Sequence, residues 1–184
     1  MDRTNGFLDR LDAMVINTVS PMRAVKVRLN RNDGITVEWG SQGLRNLSAE
    51  QLSSEITRAV VAALQGAEQG VKKTRETLHG TEPRKRKPNP EKAERRKLLR
   101  RRIEELEVSG SAAQGFVTVN WQGRTNVDVH VAAGALTRLT AEALREAVNQ
   151  ALATARSQHN KTVATFFVDA YRLDRLGQKW KEPT

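Results

Sequence analysis

Shifted by 92 residues, the chain aligns with itself without a gap, and this repeat constrains the fold more than any other feature of the sequence. Val25-Lys-Val27-Arg-Leu29 falls on Val117-Thr-Val119-Asn-Trp121, and Ile35-Thr-Val37-Glu-Trp39 falls on Val127-Asp-Val129-His-Val131. Leu44-Arg-Asn-Leu47-Ser-Ala49-Glu50-Gln-Leu52 falls on Leu136-Thr-Arg-Leu139-Thr-Ala141-Glu142-Ala-Leu144. Phe7, Leu11 and Met14 fall on Leu99, Ile103 and Leu106. Short Ala/Val/Leu matches arise by chance; a long ungapped register that includes an LxxLxAExL frame rarely does.

Each copy follows the same pattern. A short amphipathic helix comes first, Phe7 to Val15 or Lys92 to Leu106. Two strands with apolar residues at every second position follow, the mark of half-buried antiparallel strands. Asn-Asp-Gly at 32–34 and Gln-Gly at 122–123 are hairpin turns. In the second copy, Glu107-Val-Ser-Gly110 adds one more strand before the hairpin. A long helix then closes each copy. Ser48 with Gln51 forms a capping box, and Thr140 caps the second helix without such a partner at Ala143. Leu52, Ile56, Val60, Ala63, Ala67 and Val71 form the buried stripe of one helix, and Leu144, Val148, Leu152, Ala155 and Val163 that of the other, which runs on toward Phe166, Phe167 and Leu173.

The expected architecture is therefore α+β: two tandem α-β-β-(β)-α units with antiparallel sheets and long helices. The units span 1–80 and 92–176, separated by a Pro-rich basic linker at 81–91 and followed by a flexible tail at 177–184. A three-stranded sheet under one helix is a marginal core, so each unit is expected to pair, either with the other unit as an intramolecular pseudo-dimer or with another chain as a homodimer.

Charge is concentrated where the repeat is interrupted. Residues 1–83 hold 11 basic and 10 acidic residues, and residues 103–184 hold 9 of each. Residues 84–102 hold 11 basic residues against Glu91 and Glu94, so nearly all of the net charge of +10 lies in this segment. Its first part carries Pro83, Pro88 and Pro90 and reads as extended, with Arg84, Lys85, Arg86 and Lys87 on it. Its second part reads as helix, with Leu99, Ile103 and Leu106 on one stripe and Lys92, Arg95, Arg96, Lys97, Arg100, Arg101 and Arg102 on the remaining faces. Arg101 and Glu105 are spaced to pair along it. Clustered cations suit a polyanion, from which they release counter-ions. A solvated linker and helix face, or a localisation signal at RKRK, are the other readings of the same residues.

Other chemistry is not visible. The chain has no cysteine, so thiolate metal sites, disulfides and cysteine nucleophiles are excluded. No phosphate-cradling glycine motif occurs. His79, His130 and His159 lack neighbours at metal-ligand spacing and read as solvated. Trp39 and Trp121 sit in strand patterns and read as packing residues. The expectation is no catalysis, no cofactor, no metal, no small-molecule substrate, no membrane segment and a cytoplasmic location.

The string from Arg101 through Glu107-Val-Ser-Gly110, Gly115-Phe-Val-Thr-Val, Asn120-Trp-Gln-Gly123 and Asn126-Val-Asp-Val-His-Val131 into the long capped helix resembles the bacterial YbaB/EbfC family of nucleoid-associated proteins. The resemblance covers 95 to about 166 and, more weakly and through the repeat, 5–80. It implies an α-β-β-β-α subunit that dimerises, and binding of double-stranded DNA at the nucleoid with little sequence preference. This chain departs from the family in being a tandem and in its more basic linker. Relatives in secretion loci give the alternative, a non-catalytic protein–protein adaptor whose basic linker docks an acidic partner. RNA binding is a third reading, weakened by the lack of exposed-looking aromatic residues.

Overall fold

A computed structural model describes residues 3–44, 46–79 and 89–179. In chain order the elements are α1 (Arg3–Asp12), β1 (Val15–Val19), β2 (Val25–Asn30), β3 (Gly34–Trp39), α2 (Ala49–His79), α3 (Pro90–Glu104), β4 (Glu107–Ala112), β5 (Val117–Gln122), β6 (Asn126–Val131), α4 (Ala135–Arg138) and α5 (Ala141–Lys179). β1 to β3 and α2 begin at 15, 25, 34 and 49; β4 to β6 and α5 begin at 107, 117, 126 and 141, each 92 residues later. The structure is thus a mixed α+β fold with two three-stranded antiparallel sheets, β1-β2-β3 and β4-β5-β6, and long helices.

Alternation explains the strands. Val25, Val27 and Leu29 turn inward from β2, as do Val117, Val119 and Trp121 from β5, while Lys26, Arg28, Asn120 and Gln122 face out. Ile35 pairs with Leu29 and Val37 with Val27, and in the second sheet Val127 pairs with Trp121 and Val129 with Val119. Each such inward side chain contributes roughly 1.5–3 kcal/mol by leaving water. The helices cover these faces with Leu52, Ile56, Val60 and Ala63 from α2 and Leu144, Val148, Leu152 and Ala155 from α5, all fully buried. Val71 and Val163, further along the same stripes, are only half-buried, because the helices there run past the sheets.

Both caps form as the sequence implies. The Ser48 amide donates to Gln51 Oε1, and the Gln51 amide donates to Ser48 Oγ. Thr140 Oγ1 accepts from the Ala143 amide at 3.2 Å.

Three differences from the sequence reading stand out. The first helix ends at Asp12 rather than continuing to Val15, and residues 15–19 form an extra edge strand, β1, so both sheets have three strands. The second copy's first helix starts at Pro90 and ends at Glu104. The segment read as a tail is still helical through 177–179; residues 180–184 lie outside the described residues.

The halves are joined through the strand edges. Among the described residues, β3 pairs only with β2, and β6 only with β5. The free edge of β6 lies against α2 and that of β3 against α5. Thr57 Oγ1 and Ser53 Oγ on α2 each accept from β6, from the amides of Val129 and Val131, both at 2.9 Å. Asn149 on α5 accepts from the Val37 amide at 2.7 Å and donates to the Val37 carbonyl at 3.1 Å. The indole Nε1 of Trp39 donates to the Ala141 carbonyl at 2.7 Å, a further contact between the halves. Exposed strand edges are a liability in antiparallel sheets, and here helix side chains from the opposite half cover one edge of each sheet.

Close approach sets three glycine positions. A β-carbon on Gly110 of β4 would collide with the Ala151 carbonyl oxygen on α5. Gly66 and Gly70, one turn apart on α2, leave room for Ile16 and Met14.

Candidate nucleic-acid interface

The basic segment becomes structure at α3. Asn89 caps the helix, its Oδ1 accepting from the amides of Glu91 at 2.9 Å and Lys92 at 3.4 Å. Pro90 occupies the first turn, where its missing amide costs nothing. Glu91 lies at the positive end of the helix dipole and Arg101 and Arg102 at the negative end, so the charges suit the helix termini. Packing is slight: Ile103 is the one buried residue within the helix, Leu99 is half-buried, and Leu106 is buried just beyond.

The helix cations divide into two groups. Arg95 and Arg102 face α5. With Leu98, Leu99, Phe166 and Ala170 they line a small cavity of about 90 Å³, and the Arg102 guanidinium lies 5.4 Å from the Phe166 ring centroid. Arg95 also lies 4.0 Å from Glu91. Arg96, Lys97, Arg100 and Arg101 are all exposed, and their spacing places them on another side of the helix. Lys92 is exposed near the N-terminus.

Within the exposed strip, Arg101 is bound by Glu105 at 2.8 Å, and that hydrogen bond and charge raise its pKa above the usual guanidinium value. Lys92, Arg96, Lys97 and Arg100 form no ion pair among the described residues. Glu104 stands one turn after Arg100 but pairs instead with Arg124 at 3.4 Å. Arg96 with Arg100 and Lys97 with Arg101 are like-charge pairs at i,i+4, each unfavourable by about 0.2–0.5 kcal/mol on an isolated helix. From Lys92 to Arg102 the helix rises roughly 15 Å, enough to lie along several phosphates of one strand.

The strip has no counterpart in the first half. At the positions 92 residues earlier, Arg96, Lys97, Arg100 and Arg101 correspond to Thr4, Asn5, Leu8 and Asp9. The basic face is one-sided, whereas a pair of equal subunits would present two. Arg84, Lys85, Arg86 and Lys87 lie outside the described residues.

The histidines differ from one another. His130 is exposed on the outer sheet face. His159, expected to be solvated, is instead half-buried: its ring stacks on Trp121 at 5.0 Å between centroids, and Nε2 lies 2.7 Å from the Gly123 carbonyl. The side chain of His79 lies outside the described residues. Trp121 is buried and Trp39 half-buried.

The sequence reading passed over two cations that the fold makes notable. Arg156 on α5 is half-buried beside the β2–β3 turn, and Arg124 bridges Glu68 and Glu104. Neither belongs to a basic run, so composition gave no signal; only the 92-residue register, which sets the turns of one half against the helix of the other, brings them forward.

No family model, curated protein or solved structure matches this chain. Function therefore rests on the geometry. Among the described residues, no helix is long and apolar enough to cross a membrane, and no three His, Asp or Glu residues cluster as metal ligands.

Proposed function

We propose that this protein is a non-catalytic, sequence-tolerant binder of double-stranded DNA, of the nucleoid-associated type represented by the YbaB/EbfC family. One observation carries the reading. A helix with little packing of its own presents Arg96, Lys97, Arg100 and Arg101 on one exposed side, and among the described residues only Arg101 has an acidic partner there. A polyanion relieves the repulsion between these cations and gains from counter-ion release. Recognition is by charge and shape, as no further side chains arranged to read base edges accompany the strip among the described residues. Arg84, Lys85, Arg86 and Lys87, which precede the helix in sequence and lie outside the described residues, belong to the same proposed contact.

The 92-residue offset of every strand and of the long helices supports a duplication of one YbaB-like unit. The reciprocal edge contacts support an intramolecular pseudo-dimer, in which the second unit carries the DNA contact alone. A cytoplasmic, nucleoid location follows from this reading.

The second reading is an adaptor. It is favoured by apolar side chains left exposed where α3 meets α5: Leu98 is 59% exposed, Phe167 42% and Val168 46%. Two duplexes of unrelated sequence and equal length separate the two readings. The DNA reading expects their affinities to agree within a few-fold and both to weaken with salt. No binding to either at low salt overturns it in favour of the adaptor.

A further inference from the structure

We propose that the groove between the β2–β3 turn and α5 is a second, separate site that binds a phosphate-type oxyanion, with the Arg156 guanidinium as its anchor. The groove encloses about 390 Å³. Arg156 lies across the turn so closely that a β-carbon on Gly34 would meet its Nη1 and displace the guanidinium; the φ of +90 at Gly34 is what favours glycine there. The guanidinium is half-buried. Its one hydrogen bond among the described residues is long, from Nη2 to the Asn30 carbonyl at 3.5 Å, and no carboxylate reaches it. Burial lowers its pKa, yet an arginine so placed stays cationic. A half-buried cation with most of its five donors not taken by protein groups among the described residues can offer them to an anion.

The neighbouring charges leave that role open. Arg31 on the same turn is held by Asp12 at 2.9 Å. Asp33 is turned back toward Asn30, accepting from its Nδ2 at 2.6 Å. Lys161, exposed on α5, adds a second positive charge to the rim, and Asn32, Ser157 and Asn160 add neutral donors.

The equivalent groove of the other half shows that packing does not need this arginine. There the turn at 123–125 faces α2, and the position 92 residues before Arg156 is Leu64. The cation of that turn, Arg124, is neutralised by Glu68 at 3.6 Å and Glu104 at 3.4 Å. Two grooves of like construction thus differ in charge, and among the described residues only the Arg156 groove holds a half-buried cation without an acid.

The inference stands apart from the reading of α3, and its test is a nuclear magnetic resonance titration of the full-length protein. The Arg156 Nε–Hε and Gly34 amide resonances are followed as inorganic phosphate, adenosine monophosphate and adenosine are added at constant ionic strength. Saturable shifts are expected with phosphate and the monophosphate, with Kd on the order of 1 mM, and none with adenosine. Arg156→Gln is expected to weaken the Gly34 response at least about tenfold, with Arg156→Lys in between as a check that the fold is kept. A short duplex is then added to protein whose α3 strip has been neutralised. Shifts of the same resonances at micromolar duplex identify nucleic-acid phosphates as the source, and shifts with the monophosphate alone identify a small phosphate ester. Absence of any phosphate shift, or an undiminished Gly34 shift in the Arg156→Gln protein, overturns the proposal.

Discussion

Asn149 acts on Val37 as a neighbouring strand would: its Oδ1 accepts from the Val37 amide at 2.7 Å and its Nδ2 donates to the Val37 carbonyl at 3.1 Å. One side chain thereby satisfies both backbone groups of a residue on a sheet edge. Thr57, 92 residues before Asn149, accepts from Val129, 92 residues after Val37. The two edges are thus covered in matching register by helices from opposite halves.

Asn149→Ala leaves the Val37 amide and carbonyl without these partners at a part-buried position. The expected loss is about 1–3 kcal/mol of unfolding free energy. Urea unfolding measures it, and an unchanged midpoint means that water replaces the amide without penalty. Thr57→Val removes one acceptor and is expected to cost less than Asn149→Ala.

Because each half covers an edge of the other, the two halves are expected to unfold together. Far-ultraviolet circular dichroism and tryptophan fluorescence, followed through one urea titration, should give superimposable curves. Two separated transitions contradict mutual stabilisation.

Gly110→Ala places a methyl group against the Ala151 carbonyl oxygen and the Ala155 nitrogen, both backbone atoms that cannot rotate away. Overpacking of this kind costs about 1–3 kcal/mol or more, as β4 must separate from α5. Gly6→Ala, with nothing within 4 Å and an ordinary helical position, is expected to be neutral or mildly stabilising. Thermal melts of the two variants should therefore shift in different directions.

His159→Ala removes both the stack on Trp121 and the contact with the Gly123 carbonyl. A loss of about 1–2 kcal/mol is expected, with a change in Trp121 fluorescence as water reaches the indole. A silent substitution means that the ring pair is incidental.

Much of this was readable from residue order. Period-two alternation located β2, β3, β5 and β6, and the Ser48–Gln51 and Thr140 caps located α2 and α5. β1 escaped because its two valines, Val15 and Val19, face outward at 40% and 53% exposure, while Ile16 and the polar Thr18 face in. Its apolar residues also continued the Phe7, Leu11 and Met14 spacing, which reads as one helix although α1 ends at Asp12, while the 92-residue register to β4 marked it as a strand. The edge contacts of Ser53, Thr57 and Asn149 were hidden for a different reason. A polar residue within a helix gives no sign that an edge strand from a segment 70 or more residues away will need its oxygen. The basic run was plain in the sequence, but its division into an α5-facing pair and an exposed strip depends on where Phe166 lies. That the strip occurs in one half only was already written in the alignment of Arg100 and Arg101 with Leu8 and Asp9.

The proposed function stands on contact between the exposed cations of α3 and phosphates. Fluorescence anisotropy on a random-sequence duplex, repeated across a salt series, tests it with the wild-type chain beside a variant carrying Gln at 96, 97, 100 and 101. The wild-type affinity should fall linearly on a log–log plot. Each phosphate contact adds about 0.9 to the slope, so the variant should lose about 3–4 from it while its melting temperature stays close to that of the wild type. Equal slopes for the two proteins, or no binding by the wild type at low salt, contradict the claim.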